Sequence, residues 1–289
     1  IFIAFIWFII LFTKIYPDER LIVAKRNLIL PTLLFITGVA AIILSWKFKK
    51  FTLFAICYLL FAISFDSLRF AQKWMPFDPK NLVYPPLPVI EAIKSKSGDG
   101  RVFGNIEAVV SSYYGIQTIE GYDPLYISRY GDFIRGASTG EFLKRERSVV
   151  RLDRGGRYTN RVLDLLGVSL VFHPIADTNA GWAYPVWADI NRFSLVYQDD
   201  KFQLFKNKLA LPRAGLFYDY EVIKDNEQII KRFYSDDFDF RKKLIVEENP
   251  ILNSKEGTGE AKIVKYTPDY IEINVETSES ALLFLSDNY

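Results

Sequence analysis

The chain is poor in the side chains that most often announce chemistry. Cys57 is the only cysteine and His173 the only histidine in 289 residues. A single thiol excludes an intrachain disulfide and a zinc cluster built on thiolates, and it leaves the redox compartment unassigned. A lone imidazole cannot supply a multi-histidine metal site, and no serine sits on the sharp strand-to-helix elbow that a hydrolytic triad needs. His173, at the end of a buried strand, therefore reads as structural, with hydrogen bonding to a polar ligand as the functional alternative. Excess charge is also lacking: 36 Lys and Arg face 34 Asp and Glu, a formal net charge of +2. Nucleic-acid binders carry a clustered basic excess, so nucleic acid is excluded as a partner. Internal repeats and low-complexity tracts are absent too.

Long apolar runs are present in quantity. Residues 28–46 and 51–65 carry Leu, Ile and Phe all round, joined at a tip with Lys47, Lys49 and Lys50. A helix with no polar face suits a bilayer, where the backbone satisfies itself and the side chains rest in hydrocarbon. These two runs are expected to span a membrane. The second is about 22 Å long at 1.5 Å per residue, so it is expected to continue to residue 70, where Asp66 and Arg69 could pair. Pro31 is expected in a first helical turn, where no intrahelical partner is lost. Residues 1–12 are a third apolar run, too short to span and without the flanks of a signal peptide, so it is expected to be the remnant of a longer helix. Residues 14–27 read as a polar connector. Positive charge does not orient the hairpin: the lysine tip points one way, whereas Lys14, Arg20, Lys25, Arg26, Arg69 and Lys73 lie on the other side.

The sequence divides into membrane helices over residues 1–75, a proline-rich strap and short helix over 76–100, an α+β lobe over 101–208 and a β-rich lobe over 209–289. Pro88 starts a helix over 88–96, and residues 101–104 begin a strand. Asp123 is expected to cap a helix over 124–137. A helix over 161–166 ends at Gly167 before a buried strand over 168–173, and residues 193–198 and 202–206 form a hairpin around Asp199-Asp200. Further on come strands 214–218 and 244–247, with a helix over 226–234 between them. Alternation in the runs 259–266, 270–276 and 281–285 predicts a sandwich-like end.

Three segments carry candidate chemistry. Gly98, Gly100 and Gly104 follow a helix and precede a strand, the reverse of a dinucleotide loop, so they read as a turn. Arg145, Arg147 and Arg151, within a series from Lys144 to Arg161, are candidate lipid-phosphate contacts, and their interleaving with Glu141, Glu146 and Asp153 also fits a solvated face. Tyr122, Asp123, Tyr126, Arg129 and Tyr130 concentrate rings, a carboxylate and a guanidinium, the groups that stack on sugar faces and accept from hydroxyls. An Asp-Pro helix start with packed tyrosines fits the same residues.

Several motifs occur in an order that resembles the YfhO-like family of bacterial multi-pass membrane proteins. They are Phe65-Asp66-Ser67-Leu68, Pro76-Phe77-Asp78-Pro79, Tyr84-Pro85, Arg101-Val102-Phe103-Gly104, Gly121-Tyr122-Asp123-Pro124-Leu125, Leu165-Leu166-Gly167-Val168 and Leu211-Pro212-Arg213-Ala214. The resemblance covers most of residues 66–289. It implies a type C membrane glycosyltransferase that uses a polyprenyl-phosphate-linked sugar to modify cell-envelope glycopolymers. The fold class is then transmembrane α-helices followed by an α+β extracytoplasmic domain ending in a β-rich part. The tail would help hold a glycan acceptor, and the lysine tip becomes the cytoplasmic end. In this enzyme class the catalytic acid lies in an early loop, expected upstream of Ile1 together with any divalent metal, so no catalytic residue, metal ligand or cofactor is assigned here. A non-catalytic glycan-binding or subunit-docking module is the alternative. Ser286-Asp287-Asn288-Tyr289 resembles the start of a strand that the family continues further.

Overall fold

The computed structural model describes residues 2–13, 17–75, 78–252 and 256–287. Ile1, Lys14, Pro76, Phe77, Asn288 and Tyr289, which enter the sequence reading, lie outside them. Two compact units divide the chain, Ile1–Pro85 and Pro86–Tyr289. The lobes expected over 101–208 and 209–289 both fall within the second.

In the first unit, α1 (Phe2–Phe12), α2 (Asp18–Lys47) and α3 (Thr52–Trp74) account for the apolar runs, with a 3-10 turn at Lys49–Phe51 and a short α4 (Lys80–Val83) beyond. Two helices, Asp18–Lys47 and Lys49–Trp74, are long and apolar enough to cross a membrane. Large side chains such as Phe35, Leu53 and Phe61 are exposed along both, which supports membrane association. Residues 18–27 are helical rather than a connector, because Arg, Leu, Ala and Lys propagate a helix as well as the apolar run does. Pro31 consequently lies inside α2, not in its first turn. Small residues let α2 and α3 approach: Gly38 faces Leu59, where a Cβ would stand 3.3 Å from Cδ2, and Ala55 and Ala62 are buried. Thr37 and Tyr58 bond across the pair. Asp66 and Arg69 form no ion pair among the described residues, although α3 runs past both.

The second unit is built on a four-stranded sheet. α5 (Pro88–Ser97) starts on its proline and buries Val89, Ile90, Ala92 and Ile93. There follow β1 (Arg101–Gly104), α6 (Ala108–Tyr114), β2 (Gly121–Tyr122), α7 (Ser128–Gly136), β3 (Val149–Val150), α8 (Thr159–Leu165) and β4 (Val168–Pro174). The hairpin β5 (Phe193–Gln198) and β6 (Phe202–Asn207) completes the sheet in the order β1-β4-β6-β5, with β1 parallel to β4 and the other pairs antiparallel. Asp199 Oδ1 fixes the hairpin turn by accepting from Lys201 N at 2.8 Å and Phe202 N at 2.7 Å.

Pleating divides the core between two faces. Val102, Leu170 and Leu204 pack with α5 on one face, whereas Phe103, Val168 and Val171 pack with Ile134, Leu163 and Tyr234 on the other. The sheet tolerates no side chain at Gly104: its φ is +133°, and a Cβ would sit 2.1 Å from the Phe172 carbonyl oxygen.

The closing third holds β7 (Ala214–Phe217), β8 (Asp219–Val222), α9 (Asn226–Phe233), β9 (Lys243–Val246), β10 (Gly259–Thr267), β11 (Tyr270–Thr277) and β12 (Leu282–Leu285). It is rich in strands, but they pair two by two instead of forming the expected sandwich-like end: β7 with β12, β8 with β9, β10 with β11. β8 and β9 are parallel, and α9 supplies the crossover that parallel strands require.

Candidate functional site

Antiparallel pairing of β7 with β12 sets Leu285 opposite Ala214, and Ser286 N donates to Arg213 O at 2.9 Å. That register delivers Asp287 to two buried arginines, Arg213 just before β7 and Arg101 at the start of β1. Arg101 Nη2 donates to Asp287 Oδ1 and to Ser286 O, each at 2.7 Å, while Nη1 reaches Leu166 O at 2.7 Å and Ser286 Oγ at 2.8 Å. Arg213 grips the same carboxylate in a fork, Nε to Oδ2 at 3.0 Å and Nη2 to Oδ1 at 2.5 Å. Its remaining donors go to Tyr266 Oη at 2.5 Å, Asp99 O at 3.3 Å and Gln117 Oε1. The guanidinium carbon also lies 4.1 Å from the Tyr266 ring centroid.

Burial, followed by the like charge of Arg213, lowers the pKa of Arg101. At Asp287 burial is the largest single influence and pushes upward. Donation from Arg213 and the charges of both arginines outweigh it, so the carboxyl sits below its ordinary value.

Beside this cluster opens a cavity of about 490 Å³, lined by Arg101, Arg213, Tyr266 and Asp287 and by part of the loop between Gln117 and Ile127 that includes Asp123 and Tyr126. Tyr130 forms part of the wall and donates to Ile119 O at 2.6 Å, and burial pushes its phenol up in pKa. Tyr126 donates to Glu146 O. Asp123 Oδ1 accepts from Leu125 N at 2.7 Å, closing a turn. Glu120 is held by both terminal nitrogens of Arg154, at 2.5 and 2.8 Å, and by Leu152 N at 2.7 Å.

No protein-family model, curated protein or solved structure matches this chain. The YfhO-like resemblance therefore stands on the quoted motifs alone.

Of the five residues singled out in the tyrosine-rich segment, the cavity gathers Asp123, Tyr126 and Tyr130 and leaves out the other two. Tyr122 lies on β2 and is 71% exposed. Arg129 is spent on Glu247, with a two-pronged pair at 2.9 and 2.7 Å on the surface. The helix there begins at Ser128, so Asp123 shapes the preceding turn and does not cap it. Gln117 and Tyr266 were not singled out in the sequence, and Asp287 was visible only as part of a motif. Arg101 and Arg213 were visible only as parts of motifs, although an arginine at the mouth of an apolar strand is itself a signal, since burial demands a partner.

Arg145 reaches the buried Asp132 at 3.2 Å. Arg147 and Arg151 are exposed and form no ion pair among the described residues. His173 is buried, hydrogen-bonded to Thr178 Oγ1 at 3.0 Å and edge-on to Trp187, and burial lowers its pKa. Gly98 to Gly100 form the turn into β1. Among the described residues no group of three or more His, Cys, Asp or Glu could hold a metal ion.

Charge in the cavity wall is spent internally. Asp287 takes two donors of Arg213 and one of Arg101, the other donors of both arginines go to neighbouring oxygens, and Glu120 is neutralised by Arg154. An anionic group would find cations already committed. A neutral, hydroxyl-rich molecule would find phenol rings and the second oxygen of Asp123.

Proposed function

We propose that residues 86–289 hold a neutral glycan in this cavity. The single observation that carries the reading is a tyrosine-walled cavity of about 490 Å³ whose charges compensate one another. Rings supply stacking faces, Asp123 accepts from hydroxyls, and the Arg101–Asp287–Arg213 cluster keeps the wall rigid. Together with the resemblance to YfhO-like proteins, this supports an acceptor-holding, extracytoplasmic role in a bacterial multi-pass membrane glycosyltransferase. In that setting a polyprenyl-phosphate-linked sugar is the donor and a cell-envelope glycopolymer the acceptor. A non-catalytic glycan-binding module uses the same cavity in the same way. Catalysis is assigned to no residue of this chain, and sugar transfer by the chain on its own would reverse that assignment.

The test is titration of neutral envelope oligosaccharides into the full chain in lipid nanodiscs. Asp123→Ala should weaken binding at least tenfold, whereas Tyr122→Ala should leave it unchanged. Absence of binding, or equal binding by the Asp123 variant, would remove the cavity as the site.

A further inference from the structure

The loop that forms one wall of the cavity also carries side chains that take no part in it. Tyr122 and Leu125 do not line the cavity, and Leu125 is 88% exposed. This apolar tip is fastened to a second segment, residues 144–151. Tyr122 pairs with Val149 in the β2–β3 ladder, Asp123 N donates to Ser148 O at 3.0 Å, and Tyr126 Oη donates to Glu146 O.

In sequence the basic series looks balanced by acids, but the fold sends those acids elsewhere. Glu146 pairs with Arg135 at 3.1 Å, Glu141 with Lys231 at 3.8 Å, and Asp153 takes the Ser138 hydroxyl at 2.6 Å and Gly155 N at 3.0 Å. Arg145 is matched by Asp132. Lys144, Arg147 and Arg151 remain exposed with no ion pair among the described residues. The result is a positive rim beside an exposed tyrosine and leucine.

We propose that this surface docks on an anionic bilayer, with Leu125 at the acyl boundary, the Tyr122 ring at headgroup depth, and Lys144 and Arg147 on lipid phosphates. Tyrosine favours that depth because it has an apolar body and a polar tip, and basic side chains near an anionic leaflet are drawn to it. The choice of partner follows from charge complementarity and from the chain itself. α3, one of two helices able to cross a membrane, ends at Trp74, and the second unit begins at Pro86. Eleven residues, 75–85, therefore join a helix able to cross a membrane to the unit that carries the tip. This inference does not depend on the glycan reading.

The test uses the full chain in nanodiscs of phosphatidylcholine, with or without one-third phosphatidylglycerol. Cys57→Ser with Leu125→Cys leaves one thiol, at position 125, for a bimane label, and nitroxide-bearing lipids report its proximity to the membrane. Quenching should be strong in anionic nanodiscs, weaker in neutral ones, and relieved by high salt. Lys144→Gln with Arg147→Gln should lower the ratio of docked to undocked protein on the order of thirtyfold, at about fivefold per basic residue. These two residues are exposed and form no ion pair among the described residues, so folding is not at stake, and salt relief in the singly labelled protein gives an independent measurement. Absence of quenching, equal quenching in both lipid compositions, or quenching insensitive to both the double variant and salt would overturn the proposal.

Discussion

Removing the Asp287 carboxylate should cost more than any single hydrogen bond it makes. Asp287→Ala leaves Arg101 and Arg213 facing each other, both largely buried, with no anion between them. Truncating one partner of a buried ion pair costs about 3–5 kcal/mol, because the surviving charge is stranded without its compensation. Here two charges are stranded, and Tyr266 loses its carboxylate contact at 3.2 Å as well, so the upper end of that range is expected. Denaturant unfolding of the second unit, followed by near-ultraviolet circular dichroism of its buried aromatics, measures the loss. Acid adds a second reading. Because the folded carboxyl sits below its ordinary value, its contribution is present above the unfolded pKa of about 3.9 and is lost as pH falls through the folded value. The wild type should therefore lose stability in that window more steeply than Asp287→Ala. Pairing the change with Arg101→Met should recover part of the loss, since fewer charges are left stranded. A loss below about 1 kcal/mol, in the range of an exposed pair, together with an unchanged acid limb, would refute the reasoning.

Two further perturbations test the fold around the cavity. Gly104→Ala should destabilise by about 3 kcal/mol or more, because both the backbone conformation and the Phe172 carbonyl oppose a Cβ, and a shift in denaturant midpoint checks it. Arg129→Ala should cost less than about 1 kcal/mol, as exposed pairs do, and should leave oligosaccharide titrations unchanged because the guanidinium lies outside the cavity.

Local pattern revealed the elements whose side chains obey a single period. The apolar helices, α5, β1, the β5–β6 hairpin and most strands of the closing third follow from runs and alternation that need no knowledge of distant partners. Partnership was hidden. Asp287 meets Arg101 across 186 residues and Arg129 meets Glu247 across 118, and nothing near either end encodes the other. The same blindness made the basic series look neutral, because Glu141 and Glu146 lie beside its members in sequence yet are committed to Lys231 and Arg135 in space. The start of α2 was obscured differently. Charged residues at 18–27 read as a connector, although most of them are good helix formers and simply continue the helix out of its apolar stretch. Tyrosines drew attention to the loop beside the cavity, but only three-dimensional placement separates Tyr126 and Tyr130, in the wall, from Tyr122 on the outside.

The carboxylate at the end of β12 also has a consequence in time. A ribosome delivers Arg101 first and Asp287 186 residues later, an interval of about 10–40 s at ordinary elongation rates. Throughout that interval the anion is not yet synthesised. The parallel pairing of β1 with β4 can form early, but two arginines that need a common anion must stay hydrated, and the cavity beside them cannot take its final shape. The cluster is thus latched by a side chain made 186 residues after Arg101, and a nascent chain stalled shortly before Asp287 would carry β1 to β12 while remaining open at the site.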